Sequence, residues 1–293
     1  MKIVSGPASK ELGERIAGIL KLEAIPVIFK SHPDGESYVR LNGKVENEDV
    51  AIVQTTSPPQ DTHLFQLALI VDAAKRNGAR KITAVVPYLA YARQDRAFLE
   101  GEAVSIEVVA HFLKASGIDN LITVNVHQAK VLDRFPFPAK TVSAIPLLAA
   151  YFKEKKIDEA FALAPDRGAL CLAEEAKAVL GGGCGFLEKH RDRITGQTST
   201  DKKELDVSGK TVIIFDDIIS TGGTIIAGAK IMKELSARKV YAACVHPLLI
   251  GEAEKHILES GVEEIVGTDS VKSRVSKVSL APLLSKELAS QGV

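Results

Sequence analysis

The chain has 293 residues, 46% of them apolar, and its 37 basic residues balance 37 acidic ones. This length suits two domains that each bury a core, and the balanced charge excludes a general electrostatic attraction to nucleic acid or to an anionic membrane. Because no apolar run approaches the roughly 18 residues of a membrane helix and the start is not typical of a secretory signal, the sequence predicts a cytoplasmic protein without a membrane partner.

Short apolar runs alternate with segments of helical period along most of the chain. The predicted strands are residues 50–53, 82–86, 121–126, 160–164, 212–215 and 240–245. The predicted helices are residues 62–77, 105–116, 170–180 and 224–235. This alternation predicts an α/β fold with mostly parallel sheets flanked by helices.

The three cysteines, Cys171, Cys184 and Cys244, show no spacing typical of a metal site. An odd number of cysteines at irregular spacing is not a disulfide framework. We interpret all three as buried thiols of a protein in a reducing compartment.

Two parts of the sequence repeat the same order of elements. AIVQ leads through a polar loop and a helix to ARKITAVVP, and VIIF leads in the same way to ARKVYAACVHP. From Val53 to Pro87 is 34 positions, and from Phe215 to Pro247 is 32. The pattern favours a duplicated α/β unit over chance similarity. The loop of the first copy, QTTSPPQD, contains prolines, which lack the N–H groups of an anion cradle, so only the second copy is expected to bind a phosphate.

The loop of the second copy, DDIISTGGT, combines a phosphate site with two carboxylates. A strand, a turn and a helix start bring backbone N–H groups and the positive end of a helix dipole together. The predicted phosphate ligands are Ser220, Thr221, Gly222, Gly223 and Thr224. No Walker lysine is present, so a sugar phosphate suits the loop better than a nucleotide. Asp216 and Asp217 would repel a phosphate, and we expect them to accept hydrogen bonds from ribose hydroxyls.

The two acids and the TGGT turn resemble the ribose 5-phosphate loop of type I phosphoribosyltransferases and of their relatives, the ribose-phosphate diphosphokinases. This resemblance implies two tandem phosphoribosyltransferase-like domains, placed at residues 1–142 and 143–293, with a tail from about residue 282 that packs on the first domain. It also implies that Asp216 and Asp217 hold the 2- and 3-hydroxyls of ribose 5-phosphate.

Residues 163–170, LAPDRGAL, resemble the loop with which the diphosphokinases hold the transferred diphosphate. The resemblance implies diphosphate contacts from four residues, Asp166, Arg167, Gly168 and Ala169. It implies Mg²⁺ as the cofactor, with Asp166 at the metal. Ala164 and Ala169 replace the serine and the glycine that are commoner in the family.

Two segments of the first half resemble the ATP-binding segments of the same enzymes. In residues 88–96, YLAYARQDR, the resemblance places Arg93 and Gln94 at the phosphates and the adenine of ATP. In residues 123–128, TVNVHQ, it places His127 at the complex of Mg²⁺ and ATP. An imidazole is an unusual ligand for this hard cation, so contact through water or with phosphate is equally compatible.

Residues 29–37, FKSHPDGES, resemble a turn of the family that crosses a subunit contact to the adenine of a neighbour's ATP. The resemblance implies ATP contacts from His32, Asp34 and Glu36, with His32 in place of the usual phenylalanine. It also implies a homo-oligomer built from dimers. The PDG sequence alone would indicate only a turn.

Residues 187–195, LEKHRDRIT, have the composition of a solvent-exposed loop. The simpler interpretation of this segment is a surface loop without a catalytic role. The resemblance instead aligns Lys189 and Arg191 with two cations of the family's catalytic loop. Positioning and charge dominate the catalysis of phosphoryl-type transfer, so these two side chains are predicted to be catalytic.

The six motifs together predict Mg²⁺-dependent transfer of the β,γ-diphosphoryl group of ATP to the 1-hydroxyl of ribose 5-phosphate. The products would be 5-phosphoribosyl 1-diphosphate (PRPP), for nucleotide biosynthesis, and AMP. One alternative is a phosphoribosyltransferase that consumes PRPP, which shares the loop around Asp216 but does not require a doubled domain. The other is a silent homologue that regulates a partner, although such a protein is expected to lose active-site residues.

Overall fold

The structure, a computed structural model, describes residues 1–191, 198–201 and 205–290, and in residues 189–191 and 198–201 it describes the backbone alone. The chain divides into two compact units. Unit 1 contains Met1–Ser143 and the C-terminal segment that begins at Ser279, and unit 2 contains Ala144–Val278.

Strands and helices alternate along the described chain. The strands are β1 (Lys2–Ser5), β2 (Ala24–Ser31), β3 (Ser37–Leu41), β4 (Asp49–Val53), β5 (Lys81–Val86), β6 (Asn120–Val124), β7 (Ala139–Val142), β8 (Phe161–Ala164), β9 (Cys184–Phe186), β10 (Glu188–Arg191), β11 (Thr198–Asp201), β12 (Thr211–Ile219), β13 (Lys239–Pro247), β14 (Ile265–Thr268) and β15 (Ser276–Val278). The helices are α1 (Lys10–Leu20), α2 (Gln60–Arg76), α3 (Ser105–Ser116), α4 (Ile145–Glu154), α5 (Leu170–Leu180), α6 (Gly223–Glu234), α7 (Ala253–Glu259) and α8 (Ala281–Ser290). Within these described residues, no helix has the length and apolar character that crossing a bilayer requires.

Unit 1 is built on one mixed sheet. Within residues 1–143, seven strands follow the order β3-β2-β1-β4-β5-β6-β7, and all neighbours are parallel except β2 and β3. The central strands β4 and β5 are almost entirely buried, as expected for parallel strands covered on both faces. At the sheet edge, β3 alternates between partly buried and exposed residues, so one of its faces is solvated.

The C-terminal helix α8 belongs to unit 1, where it packs against α1. The Nη1 atom of Arg15 donates to Ser279 Oγ at 3.2 Å, and Lys140 Nζ lies 2.8 Å from the carboxylate of Glu287. The side chain of Glu287 is 11% exposed and that of Lys140 is 58% exposed, so the lysine end of this ion pair stays accessible to water and salt. The chain thus returns to its first unit after it has completed the second.

Unit 2 is built on a parallel sheet. In the described part of this unit, six strands follow the order β15-β14-β13-β12-β8-β9, and β10 and β11 form a separate antiparallel pair. The core between this sheet and α6 includes Ile214, Met232 and Ala242, all fully buried.

The strand order of the two sheets matches the internal repeat in the sequence. In unit 1 the chain leaves β1 towards β2 on one side and leaves β4 towards β5 on the other. In unit 2 it leaves β8 towards β9 and β12 towards β13 in the same way. Each sheet therefore has a topological switch point, between β1 and β4 in unit 1 and between β8 and β12 in unit 2. The carboxyl ends of strands at such a point form the crevice in which open α/β sheets bind ligands.

The cysteines correct one expectation. Cys244 is buried, but Cys184 is partly exposed and Cys171 is exposed, so the prediction of three buried thiols is wrong for two of them. The buried residues of α5 are Ala173, Ala176 and Leu180. Cys171 lies in the first turn of this helix and outside that buried stripe. The identity of one residue in a sequence does not indicate which face of the helix it will occupy.

Candidate active site

Two carboxyl groups lie at the switch point of unit 2, on β12. The ladder between β12 and β13 continues through Asp216 to Ile219, whereas β8 pairs with β12 only as far as Ile214. Because β13 is as long as β12 and β8 is short, the side of β12 that faces β8 is open beyond Ile214. The predicted end of the strand at Phe215 is therefore wrong, and Asp216 and Asp217 lie within the strand at the mouth of the crevice.

The surroundings of Asp216 oppose its negative charge. Burial is the largest of the effects that raise the pKa of this carboxyl group well above its ordinary value of 3.8, and the charge and the side-chain hydrogen bond of Asp217 raise it further. The hydrogen bond from the backbone N–H of Asp217 acts in the opposite direction. Asp166, which follows β8, adds a smaller effect that raises the pKa. Asp216 and Asp217 are thus adjacent at the switch point, and Asp166 is near enough to add to their effect. Such a site favours a ligand that brings hydroxyl donors or a cation.

Cys244 lies behind these carboxyl groups and is shielded from solvent. It stands opposite Asp216 in the ladder between β12 and β13 and is fully buried. Burial, followed by the charge of Asp216, raises the pKa of the Cys244 thiol well above that of a free cysteine. A thiol that stays protonated is a poor nucleophile, so the carboxyl groups carry the polar chemistry of this edge.

The turn after β12 presents the N-terminus of α6. Gly222 occupies the N-cap position of α6 with a φ of 81°, and as a glycine it has no side chain that could cap the helix. The first backbone N–H groups of a helix have no partner within the helix, and they carry the positive end of its dipole. Residues 220–224 therefore offer an anion site directly after the strand that bears the two carboxyl groups.

Gly222 and Gly223 are suited to this turn for different reasons. A Cβ atom on Gly222 would lie 2.7 Å from Cδ1 of Ile257 in α7, and the positive φ also disfavours other residues. A Cβ atom on Gly223 would meet no atom within 4 Å, so protein packing does not require glycine there. The open space beside Gly223 allows a ligand to approach the backbone closely.

A second turn, which was not predicted from the sequence, supports the first. After β13, the N–H of Leu249 donates to Ile219 O and the N–H of Ile250 donates to Ser220 O, both at 3.0 Å. Leu249 has a φ of 45°, a conformation that leucine adopts rarely. In the sequence this turn corresponds to the stretch HPLLIG at the end of the second repeat. Nothing in that stretch indicates its hydrogen bonds with Ile219 and Ser220.

The predicted diphosphate loop lies on the other side of the switch point, between β8 and α5. Arg167–Ala169 form a 3-10 turn, which Asp166 caps by accepting a hydrogen bond from the N–H of Ala169 at 3.2 Å. Ala169 has a φ of −92°, so this backbone conformation does not need the glycine that is commoner in the family. Arg167 and Gly168 are exposed, which leaves their backbone accessible to a ligand.

The predicted ATP segments of unit 1 follow two neighbouring strands. Arg93 and Gln94 come after β5, and His127 comes after β6. The ends of the two strands are joined by a hydrogen bond of 3.3 Å from Val124 N to Pro87 O. Neighbouring strands are about 4.8 Å apart, so the structure brings these two segments close together at the carboxyl ends of β5 and β6. Arg93 and His127 are both exposed there.

The side chain of Gln94 is engaged within its own loop. Its Nε2 atom donates to Arg96 O at 3.1 Å and to Glu102 Oε2 at 3.3 Å. The carboxylate of Glu102 also accepts hydrogen bonds from the N–H groups of Phe98 and Leu99, and these bonds lower the pKa of Glu102. Gln94 can therefore contact a ligand through Oε1, or through Nε2 after exchange of these hydrogen bonds.

Residues 32–36 form the tight turn between β2 and β3. The N–H of His32 donates to Glu36 O at 2.8 Å, and Asp34 Oδ1 accepts a hydrogen bond from Glu36 N at 3.1 Å. The three predicted ATP contacts, His32, Asp34 and Glu36, are all exposed. In the sheet, β1 and β4 separate β2 from β5, a sideways distance of about 14 Å. The last five residues of β2 also extend beyond its pairing with β1, so the turn projects past the end of β1 and lies farther still from the Arg93 segment.

Lys189 and Arg191 lie on β10, which pairs with β11. The backbone of Glu188–Arg191 is thus a strand, where the sequence pattern predicted an irregular loop. The side chains of Lys189 and Arg191 lie outside the described part of the structure.

The carboxyl groups of unit 2 do not by themselves form a complete set of metal ligands. Among the residues described, no three His, Cys, Asp or Glu side chains are grouped so that they could hold one ion. Mg²⁺ commonly uses one or two carboxylates and completes its shell with water and substrate phosphates. A single carboxylate such as that of Asp166 therefore suits this ion when a phosphorylated ligand is present.

Two family models together match most of the chain. Residues 1–117 match a model described as the N-terminal domain of ribose phosphate pyrophosphokinase, and residues 143–281 match one described as a phosphoribosyl transferase domain.

Curated relatives match over nearly the whole chain. The ribose-phosphate pyrophosphokinase of Methanothermobacter thermautotrophicus is 40% identical over 284 residues, which are 97% of this chain and 98% of that protein. The enzyme of the same name from Saccharolobus solfataricus is 41% identical over 272 residues, 92% of this chain and 93% of that protein. Among solved structures, phosphoribosylpyrophosphate synthetase from Mycobacterium smegmatis matches with a TM-score of 0.88 and 29% identity, covering 99% of this chain and 98% of that chain.

Proposed function

The chain belongs to the ribose-phosphate pyrophosphokinase family, and we infer that it transfers the β,γ-diphosphoryl group of ATP to the 1-hydroxyl of ribose 5-phosphate, forming PRPP and AMP. The observation that carries this inference is the identity of 40% and 41% with enzymes of that name over nearly the whole chain. Family membership confirms the fold class of two phosphoribosyltransferase-like domains and the enzyme class predicted from the motifs.

A phosphoribosyltransferase that consumes PRPP is disfavoured. Such an enzyme shares the sugar-phosphate turn, but residues 1–117 match the N-terminal domain of the pyrophosphokinases. A silent homologue would share the fold and the family, so a measurement of activity separates it from an enzyme.

We propose that unit 2 binds ribose 5-phosphate. The phosphate occupies residues 220–224, which is supported by the exposed N-terminus of α6 and by the open space beside Gly223. Asp216 and Asp217 accept hydrogen bonds from the 2- and 3-hydroxyls of the ribose. A donor-rich sugar suits these two carboxyl groups, because it compensates for the water that burial has removed.

Mg²⁺ is the proposed cofactor, and Asp166 is its best-placed ligand in unit 2. Asp166 follows β8 at the switch point and lies near the carboxyl groups of β12, and carboxylate oxygen is the donor that Mg²⁺ prefers. His127 in unit 1 is the second proposed ligand, directly or through water. When bound, Mg²⁺ neutralises charge on the phosphates and favours displacement at the β-phosphorus.

In the proposed reaction, the residues of unit 2 orient the sugar from both ends. The turn holds the 5-phosphate and the two aspartates hold the hydroxyl face, so the 1-hydroxyl is directed at the β-phosphorus of ATP. A bond forms from O1 to the β-phosphorus, the bond to the oxygen shared with the α-phosphorus breaks, and AMP leaves with that electron pair while the hydroxyl proton passes to solvent. Positioning of this kind supplies a large part of catalysis, and residues 166–169 hold the diphosphate. Lys189 and Arg191 are proposed to neutralise the charge that develops.

Unit 1 is proposed to bind ATP through Arg93, Gln94 and His127. The turn that carries His32, Asp34 and Glu36 lies three strand spacings to the side and projects past the end of β1. This separation supports a role for the turn at the ATP of a neighbouring subunit, in a homo-oligomer built from dimers. A cytoplasmic location is also proposed, since unpaired cysteines such as Cys171, which is exposed, persist most readily in a reducing compartment.

The activity can be tested by incubation of the protein with Mg²⁺, ATP and ribose 5-phosphate. We expect AMP and PRPP in equal amounts, and light scattering of the same sample should give at least a dimer. Pyrophosphate release from PRPP that depends on an added nucleobase would instead indicate a phosphoribosyltransferase. No turnover in either assay would indicate the silent homologue, and a fully active monomer would contradict the subunit arrangement.

Replacement of Gly223 by alanine is expected to impair sugar-phosphate binding without loss of stability. The added methyl group has room in the protein but occupies the space through which the phosphate approaches the backbone. We expect the KM for ribose 5-phosphate to rise roughly tenfold or more, the equivalent of one charge-assisted hydrogen bond, and the melting temperature to stay within about 2 °C.

Gly222→Ala is the matched comparison for stability, because the added methyl group would clash with Ile257 and the φ of Gly222 is positive. That variant should lose stability. An unchanged KM for ribose 5-phosphate in a folded Gly223→Ala protein would contradict the placement of the phosphate in this turn.

A further inference from the structure

The strand β4 in unit 1 occupies the place that β12 occupies in unit 2. Each follows the switch point of its sheet, and the residue after the apolar run is Gln54 in the first repeat and Asp216 in the second. In unit 2, β8 pairs with β12 only as far as Ile214, so no strand covers the side of β12 beside Asp216. The equivalent crevice of unit 1 is filled by the protein itself.

Gln54 fills this crevice and is fully buried. Its Oε1 atom accepts a hydrogen bond from the N–H of Ala8, in the loop after β1, at 3.1 Å. A Cβ atom on Gly6 would lie only 2.2 Å from the same oxygen. The loop that corresponds to the diphosphate loop of unit 2 thus gives an N–H to a side chain, and Gln54 occupies the space beside Gly6.

The next two residues, Thr55 and Thr56, are 2% and 0% exposed and hold a distant backbone segment. The N–H and the Oγ1 of Thr56 both donate to Tyr88 O, at 3.0 and 2.8 Å, and Thr56 Oγ1 accepts from Ala90 N at 2.8 Å. The Oγ1 of Thr55 accepts from Tyr88 N at 3.3 Å. The N–H of Thr55 in turn donates to Ser9 Oγ at 2.8 Å. Four buried hydrogen bonds therefore clamp the backbone between Tyr88 and Ala90.

The clamped segment immediately precedes Arg93 and Gln94. The next residue, Tyr91, has a φ of 67°, which a bulky residue adopts only where its surroundings impose it. The hydroxyl of Tyr91 is hydrogen-bonded to Asp61 at the start of α2. The path of the chain into the Arg93 segment is thus determined by contacts outside that segment.

We propose that Thr56 is a positioning residue for ATP: its hydroxyl group holds the turn before Arg93 and Gln94 in the conformation that binds the nucleotide. The phosphate crevice of the first repeat has accordingly become a buried support for the ATP segment. This inference rests on the proposed function, in which Arg93 contacts ATP. Loss of the Thr56 hydroxyl lowers the fraction of molecules with a competent segment, and the apparent affinity for ATP falls by the same factor.

The test compares Thr56→Val, which keeps the shape but lacks the hydroxyl, with Thr56→Ser, which keeps the hydroxyl. Thr56→Val should raise the KM for ATP roughly fivefold to tenfold, with the KM for ribose 5-phosphate changed by less than about twofold. Thr56→Ser should stay close to the wild type. Hydrogen exchange should be faster at the N–H of Ala90 in the valine variant alone.

Ser285→Ala is the matched control for removal of a buried hydroxyl in unit 1. Ser285 is 2% exposed, and its Oγ has no hydrogen-bond partner among the residues that the structure describes. Ser285→Ala should leave both KM values unchanged. If Thr56→Val does not fold, Thr55→Val replaces it with the same expected result, since it removes the acceptor of Tyr88 N.

The proposal is overturned if a folded Thr56→Val protein keeps the KM for ATP of the wild type, or if both substrates are affected equally. It is also overturned if Ser285→Ala has an equal effect. Arg93→Ala separates this failure from that of the proposed function. If Arg93→Ala raises the KM for ATP and Thr56→Val has no effect, only the positioning role of Thr56 is excluded. If Arg93→Ala itself has no effect, the proposed contact between the Arg93 segment and ATP is excluded.

Discussion

Asp216→Asn is expected to raise the melting temperature of the ligand-free protein while it weakens the binding of ribose 5-phosphate. Burial and the neighbouring carboxyl group of Asp217 raise the pKa of Asp216, so the charged form destabilises the folded state at neutral pH. Asparagine has the same shape and retains Oδ1, which accepts the 2.9 Å hydrogen bond from Asp217 N. We expect a rise of roughly 2–4 °C, the shift that accompanies about 1 kcal/mol in domains of this size.

The sign of the pH dependence follows from the direction of this pKa shift. Because the folded-state pKa of Asp216 lies above its ordinary value of 3.8, the folded protein holds a proton over a pH range in which the unfolded chain has released it. The free energy of unfolding therefore falls as the pH rises from about 3.8 towards the folded-state pKa, and the loss persists above it. Since asparagine does not titrate, the gain in melting temperature should be near zero at low pH and largest at neutral pH.

Thermal unfolding of wild type and variant between pH 4 and pH 8, without Mg²⁺ or substrates, measures this difference. Asp158→Asn, at an exposed aspartate after α4, is the control for the same substitution outside the site. A melting temperature of Asp216→Asn that is lower than that of the wild type at neutral pH would contradict the expectation. So would a gain that does not depend on pH.

The same variant should bind ribose 5-phosphate roughly tenfold or more weakly, because a charged acceptor of the sugar hydroxyls becomes a neutral one. Titration calorimetry with ribose 5-phosphate measures this directly. Opposite changes in stability and in affinity would identify Asp216 as a residue retained for function at a cost in stability. Unchanged affinity would exclude Asp216 from the proposed ribose contacts.

The chemistry of the unit 2 site was more predictable from the sequence than its geometry. Two acids followed by hydroxyls and glycines are a local pattern, and they predicted the converging polar groups around Asp216. The length of β12 was not predictable, because β13 determines it through pairing as far as Ile219. The supporting turn at Leu249 depends on two hydrogen bonds across the same pair of strands, and no residue type in that turn indicates them.

The first repeat shows the same limit. The prolines of QTTSPPQD disfavour a phosphate site, but they do not reveal which contacts this loop makes instead. Gln54 makes its contacts with Ala8 and with Gln66, and Thr56 makes its contacts with the segment at Tyr88. These partners are distant in the sequence, and only the folding of β1, β4 and β5 into one sheet brings them together.

Lys189→Ala should have the largest effect on turnover among these variants. In the proposed reaction negative charge shifts towards the leaving AMP, and a lysine that meets this charge acts mainly in the transition state. By analogy with the loss of an oxyanion donor, kcat should fall by roughly 10² or more. The affinity for ribose 5-phosphate should change by less than about twofold, since the sugar phosphate is held by residues 216–224.

Steady-state rates of AMP formation and calorimetric binding of ribose 5-phosphate separate these two effects. Lys177→Ala, at an exposed lysine of α5, controls for the removal of a positive charge from unit 2 and should leave kcat unchanged. Equal losses in kcat and in sugar-phosphate affinity would mean that Lys189 contributes to ground-state binding instead. Unchanged turnover would remove Lys189 from the mechanism, and the charge on the leaving group would then have to be met by Arg191 or by the metal ion.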